Sequence, residues 1–493
     1  MASNSGKSGV CEIESIDFDG QTPTGLPSHP DTHLSEKEQR EQERRLIRII
    51  DFQLIPWLCL LYLLSFLDRT NIGNAKIAGL QADLKMTNKQ WNAALAIFFV
   101  SYSVFEPASN VLLKRLRPSR YIPAIMILCG VACTCQGLVN NFSGLCAARW
   151  FLGLFEAGLF PGCQFYLSCW YKRSEFGIRS AVFFSAAAIA GSFGGLLAAA
   201  ISKIHGVGGR PGWAWIFILE GLLTIVIGFA SFRMVHDFPQ EATFLSEDDK
   251  TRLLYRLRKD LQASAEHESF KWTYVWASLR DPFTYLATLI YVGGGGGLYA
   301  FSLFLPTILA ELGYSTTTAQ LMSVPPYAAA ALLTIAIGWI GDKTRRRGYC
   351  GVAVASLAII GFSLLLSDVK TPVKYAATFL AAMGIYPIIP NSVSWLANNT
   401  EGMYKRGFTL GFAMCFANIQ GVAVSNVYRG MDAPRFILGH SMVMGYVCLG
   451  TFAGSALYYI LLRRENNLRK AGARNHLIEG KQDSEIRLMG DKK

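Results

Sequence analysis

The sequence predicts an all-α polytopic membrane protein with twelve transmembrane helices arranged six and six. Two observations carry that reading. Apolar residues make up 51% of the chain and charged residues only 17%, whereas a soluble domain carries about a quarter of its residues as charges. The apolar residues also run in blocks of about 20, the length that crosses the hydrocarbon core of a bilayer, instead of recurring at amphipathic helix or strand spacing.

Taken in order, residues 1–50 read as a cytoplasmic N-terminal tail and lead-in helix. Residues 1–34 are rich in Ser, Gly, Pro and Asp, the composition of a disordered tail. From Ser35 the run SEKEQREQERRLIRIIDF turns helical, and Ser35 with Glu38 fits a capping box. Arg44, Arg45 and Arg48 then stand just before the first span. No cleavable signal peptide is expected, because the polar start has no apolar core region.

Candidate spans cover residues 54–77, 91–113, 120–139, 143–170, 179–202 and 213–235, an N-terminal bundle within 51–235. The segment 236–281 is charged, contains the helical run SEDDKTRLLYRLRKDLQ and reads as a cytoplasmic central loop. Spans resume at 282–310, 317–341, 349–367, 372–398, 404–428 and 437–462, a C-terminal bundle within 282–462. A cytoplasmic tail, 463–493, closes the chain.

The net charge of +12 does not point to nucleic acid, because Lys and Arg lie in short clusters between apolar runs. Lys114, Arg115, Arg117 and Arg120, then Lys172, Arg173 and Arg179, then Lys343, Arg345, Arg346 and Arg347, then Lys405 and Arg406 mark one side. The positive-inside rule assigns that side and both termini to the cytosol. The eleven cysteines include Cys129, Cys133 and Cys163, which sit inside apolar runs and behave as small hydrophobes. No metal spacing or nucleophile–base constellation appears, so an enzyme is not expected.

An internal repeat supports the two halves. The stretch from Gly338 through Asp342, Arg345 and Arg346 to Gly348 follows the second span of the second half, and Ser109 to Arg120 holds the matching place in the first. A glycine lets a span end pack closely, while Asp342 and the arginines can latch neighbouring helices. In the first copy Lys114 replaces the acid, so Arg117 and its neighbours need other partners.

The chemistry-bearing residues lie inside spans. Asp68 and Arg69 stand side by side in the first, followed by Thr70, Asn71 and Asn74. Ionisable groups there cost several kcal/mol and are kept facing a bundle interior or cavity. In the fourth span Arg149 and Glu156 are two helical turns apart and share a face, with Gln164 beyond them. An anion held by Arg69 would release Asp68 or Glu156 to take a proton, giving proton–anion symport with the proton gradient as driving force and no cofactor. The alternative for Arg149 and Glu156 is a structural ion pair. Tyr102 is placed to face a midplane cavity, whereas Glu106-Pro107 reads as structure or gating. Asn391, after Pro387 and Pro390, and Asn418 either bind substrate or join helices. The glycine run Gly293 to Gly297 serves close packing or a bendable gate.

Four stretches carry a family likeness: LDRTNIGNAKI (67–77), RWFLGLFEAGLFPG (149–162), YLSCWYKRSEFGIRSA (166–181) and SLFLPTILAELGY (302–314). They resemble the anion:cation symporter family of the major facilitator superfamily, and within it the fungal allantoate permease group of nicotinate, pantothenate and allantoate-like permeases. The resemblance implies two pseudosymmetric six-helix bundles, alternating access around a midplane site, and a plasma-membrane importer that acts as a monomer. It implies anion binding and proton coupling through Asp68, Arg69, Arg149 and Glu156. The partners expected are a small organic anion and the lipid bilayer. An exporter of a metabolite or drug, or a non-transporting nutrient sensor, are the alternatives.

Overall fold

The computed structural model describes residue 31 and residues 34–201, 204, 206–260, 272–400, 403–428, 432–433 and 435–471. The expected disordered tail therefore lies outside the described residues, apart from Asp31 and Leu34, and so does the chain beyond Ala471. The secondary structure of the described residues is helical throughout, without a strand.

The first helix, Glu36–Ile77, joins the lead-in segment and the first span without a break. Its start is set by the Ser35–Glu38 capping box: Ser35 N donates to Glu38 Oε2 at 2.9 Å, and Glu38 N to Ser35 Oγ at 3.5 Å. The second span, Asn88–Arg115, begins on a matching box from Thr87 and Gln90. Pro118 opens the third, Pro118–Gln136, where its missing N–H costs nothing. Asn141 caps the fourth by accepting from Gly144 N at 2.8 Å. The fifth and sixth are Arg173–Ile201 and Gly212–Met234.

The second half runs Pro282–Glu311, Val324–Thr344, Arg347–Leu366, a split tenth span, Met403–Ser425 and a composite twelfth span. The fourth and tenth spans break in matching places, between Phe142–Glu156 and Leu159–Ser168 and between Thr371–Ile385 and Ile388–Asn399. The twelfth contains a π-helical stretch, Tyr446–Ala453, between Ile437–Gly445 and Gly454–Lys470. Ten described helical segments are long and apolar enough to cross a membrane. With the second span and the split fourth they make twelve membrane helices.

The two halves meet through the first span with the seventh, the second with the eleventh, and the fifth with both the eighth and the tenth. At the first pairing a Cβ on Gly73 would stand 2.5 Å from the carbonyl oxygen of Leu303, so only glycine permits that approach. The five glycines of the seventh span resolve one expectation. Its helix continues through Gly293–Gly297, and they face Thr451 and Tyr446, Ile388, Ala417 and Ile385 of the tenth, eleventh and twelfth spans. Close packing, not a bend, is what they provide here.

The repeated loops sit at one face, the basic face, with the lead-in helix. Asp342 accepts from Ile178 N at 2.6 Å, tying the eighth span to the start of the fifth, and its other oxygen takes Arg347. Arg347, not Arg345 or Arg346, is thus the cation of the latch. Arg345 is spent as the left-handed residue that ends the eighth span (φ 56°), and both it and Arg346 are exposed. In the first half Arg117 reaches Glu241 at 3.4 Å and Asp237 at 3.9 Å, acids that follow the sixth span. The side chain of Lys114 lies outside the described part of the structure. Arg179 makes a two-pronged bridge to Asp51 at 2.7 and 2.8 Å, and the loop helix Glu247–Asp260 ties in through Arg256 to Glu175.

Candidate functional site

The site is built on the first span, where adjacent residues diverge by about 100° around the helix. That divergence separates Asp68 from Arg69, and it corrects the expectation that they pair. Arg69 turns toward the fourth and seventh spans. Its Nη2 and Nε donate to Glu156 Oε1 at 2.8 and 3.0 Å, and Ser65 Oγ donates to the same oxygen at 2.7 Å. Arg69 Nη1 reaches the Tyr299 phenol at 3.4 Å. Asp68 instead faces Cys133 of the third span and Thr224 of the sixth, and neither of its oxygens makes a hydrogen bond of normal geometry.

Arg69 lies in an aromatic cage. Its guanidinium carbon stands 4.9 Å from the ring centre of Tyr102, 5.2 Å from Phe98, and 5.7 Å from Phe66 and Tyr299. Such faces stabilise a cation that has left water. Arg149 sits on the same Phe98 ring at 4.7 Å and donates from Nη1 to the carbonyl of Arg69 at 3.2 Å. Arg149 and Glu156 therefore both face the first span, as their two-turn spacing predicts, but they serve different atoms of it. Glu156 is the last residue before the break in the fourth span, so the carboxylate sits where the helix is interrupted.

From Arg69 the polar contacts cross into the other half. Tyr299 O–H donates to Asn418 Oδ1 at 2.5 Å, and Asn418 Nδ2 donates to Glu106 Oε2 at 2.7 Å. The chain Glu156–Arg69–Tyr299–Asn418–Glu106 thus starts and ends in the first half and passes through the second. Every member is at least nine-tenths buried, so this conformation is closed over its centre.

The expected site residues divide accordingly. The structure brings together Arg69, Glu156, Arg149, Tyr102 and Asn418. It places Gln164 toward the fifth span, accepting from Ser180 Oγ at 3.0 Å. Asn391 donates to the carbonyl of Arg347 at 3.1 Å, a tie between the tenth and ninth spans away from the cage. Glu106, read from the sequence as structure or gating, joins the central chain. Tyr299 escaped notice because nothing in the sequence distinguishes it among 20 tyrosines. Glu220 carried a clear signal: it is the one acid in the apolar helix Gly212–Met234, and Asn71 donates to it.

This architecture, two halves closing on buried ionisable residues at their junction, defines a membrane transporter. The chain belongs to the Major Facilitator Superfamily, whose description matches residues 58–425. It is 34% identical over 449 residues to the MFS-type transporter cnsO of Penicillium expansum, covering 89% of this chain and 87% of that one. It is 30% identical over 453 residues to the High-affinity nicotinic acid transporter of Saccharomyces cerevisiae, covering 90% and 80%. The fold is similar to that of a bacterial homolog of the human lysosomal transporter Spinster in an inward-facing, occupied conformation. The TM-score is 0.61 at 14% identity, over 83% of this chain and 96% of that one.

Proposed function

We propose that this transporter is a proton-coupled importer of a small organic anion, within the anion:cation symporter family and its allantoate permease group. The observation that supports it most is the Arg69 guanidinium shared between a carboxylate and a phenol at the junction of the two halves. A substrate carboxylate can replace Glu156 on that guanidinium, accepting from the same Nε and Nη2 donors. Glu156, still buried, is then left without its cation, and the favoured outcome is uptake of a proton. Substrate and proton enter together, and the loaded centre, free of uncompensated charge, can reorient. On return, Glu156 loses its proton and regains Arg69.

The cage favours a flat anion. Phe98, Tyr102 and Tyr299 offer ring faces and Asn418 an amide, which suits a vitamin carboxylate such as nicotinate. The relative named for nicotinic acid transport supports that choice. The proposal includes a plasma-membrane location, both termini in the cytosol, and one chain as the working unit. It is tested by uptake of labelled nicotinate in cells lacking their own permease. Uptake should rise as the medium is acidified and vanish with a protonophore. Net efflux of preloaded nicotinate, or uptake indifferent to pH, would overturn it.

A further inference from the structure

We propose that the twelfth span, where it leaves the membrane on the basic face, binds the headgroup of one anionic phospholipid through Arg463 and Arg464. The site lies apart from the Arg69 cage and goes beyond the proposed function, since it holds for any substrate and either direction of transport.

The helix Gly454–Lys470 is a lipid-facing strip that turns cationic within about one turn. Leu457, Ile460 and Arg464 follow at three- and four-residue spacing and share a face. Leu457 and Ile460 are 45% and 59% exposed, which in a membrane span means contact with acyl chains. Tyr459, Arg463 and Asn467 form the neighbouring row at four-residue spacing. The two rows border an open groove of about 550 Å³, and among the described residues its lining holds two arginines and no acid.

Three observations choose the occupant. The first is charge. From Arg463 to Lys470 the sequence carries four cations and one acid, Glu465, and both Arg463 and Arg464 are exposed. Two acids of the same face are engaged elsewhere, Asp342 with Arg347 and Asp281 with Lys405. A guanidinium fork matches the oxygens of a phosphate. The second is depth. Tyr459 packs on Tyr349 with ring centres 5.0 Å apart, and its O–H donates to the Tyr349 oxygen at 3.2 Å. Tyr349 is 54% exposed and its own O–H can donate outward; tyrosines gather where a span meets the headgroups. The third is the join between strip and cations. A soluble acidic partner would use the arginines and leave the aliphatic strip unused, whereas one phospholipid covers both.

A net negative headgroup is required, because the choline cation of a zwitterionic lipid would face the arginines beside its phosphate. The lead-in helix offers a comparison. Its groove is lined by Arg44, Arg45 and Arg48, but Glu41 lines it too and no aromatic does. It has cations without the tyrosine pair or the acyl-facing strip, so it serves as the control for bulk charge.

Purified full-length protein in detergent is titrated with phosphatidylserine and followed by native mass spectrometry. The wild type should retain one phosphatidylserine in preference to phosphatidylcholine. The pair Arg463→Gln with Arg464→Gln should bind it about thirty-fold more weakly, at about five-fold per cation near the headgroups. Arg463→Lys with Arg464→Lys, which keeps both charges, should fall between the two and guards against misfolding as the cause. Arg44→Gln with Arg45→Gln should bind as the wild type does. Soluble glycerophosphoserine should not displace the lipid. Equal retention of phosphatidylcholine, an equal loss in the Arg44 and Arg45 variant, or displacement by glycerophosphoserine would overturn the proposal. So would a wild type that retains no lipid because the acids beyond Ala471 fill the groove. Failure of nicotinate transport with lipid retention as expected would remove the substrate assignment and leave the lipid site standing.

Discussion

The two halves share a helix plan and differ in what they bury. The first half encloses Asp68, Arg69, Glu106, Arg149, Glu156 and Glu220 within its spans. Around Arg69 the second half contributes neutral groups, Tyr299 and Asn418, and within that half the seventh span packs through five glycines. The division carries a physical lesson. Under the proposed symport, the charges that exchange partners all lie in the first half, where burial makes each exchange decisive. The partner unit supplies groups that close over the centre without adding a charge to be neutralised. The broken fourth and tenth spans show the same split, since the first break follows a carboxylate and the second follows Ile385 beside Tyr386 and Pro387.

The largest expected effect comes from removing the central cation. Arg69→Ala strips the proposed anchor and leaves Glu156 buried and unpaired, a loss of about 3–5 kcal/mol for a broken buried pair. Binding of labelled nicotinate should fall by about a hundred-fold or more. Normal binding in this variant would break the assignment of charge chemistry to the first half.

Next comes the seam between the halves. Gly73→Ala drives a methyl into the Leu303 carbonyl, an overpacking cost of about 1–3 kcal/mol paid only when the first and seventh spans meet. Transport turnover should drop with substrate affinity little changed, as measured by uptake rate against equilibrium binding. At the basic face, Asp342→Asn removes a charged acceptor worth about 1.5–3 kcal/mol to the closed latch. Cysteine pairs across the fifth and eighth spans should cross-link more slowly in that variant. Arg345→Ala and Arg346→Ala, both exposed, should leave the rate unchanged. Smallest is Tyr299→Phe, which keeps the ring and loses the hydroxyl between Arg69 and Asn418, about 0.5–1.5 kcal/mol, read as a two- to ten-fold weaker affinity.

Most of the fold was legible in the sequence because blocks of apolar residues, capping boxes and basic clusters are local signals. The Ser35–Glu38 box and the isolated charges of the first and fourth spans needed no tertiary information. Pairing was another matter. Asp68 and Arg69 are neighbours in sequence, and only the helix turn between them decides that one meets Glu156 and the other faces Thr224. Asn391 and Asn418 are the same residue type in similar spans, yet one ties to a backbone carbonyl and the other to Tyr299 and Glu106. Arg347 was hidden among the four basic residues of 343–347, because which one turns inward depends on the left-handed residue at Arg345. Glu220, by contrast, was visible as a lone acid in an apolar helix.

The central claim is that substrate and Glu156 compete for Arg69, with the proton following Glu156. Its most direct test is Glu156→Gln in proteoliposomes loaded with unlabelled nicotinate. Counterflow of labelled nicotinate should persist, and accumulation driven by an inward proton gradient should be lost. Full proton-driven accumulation by Glu156→Gln would contradict the claim.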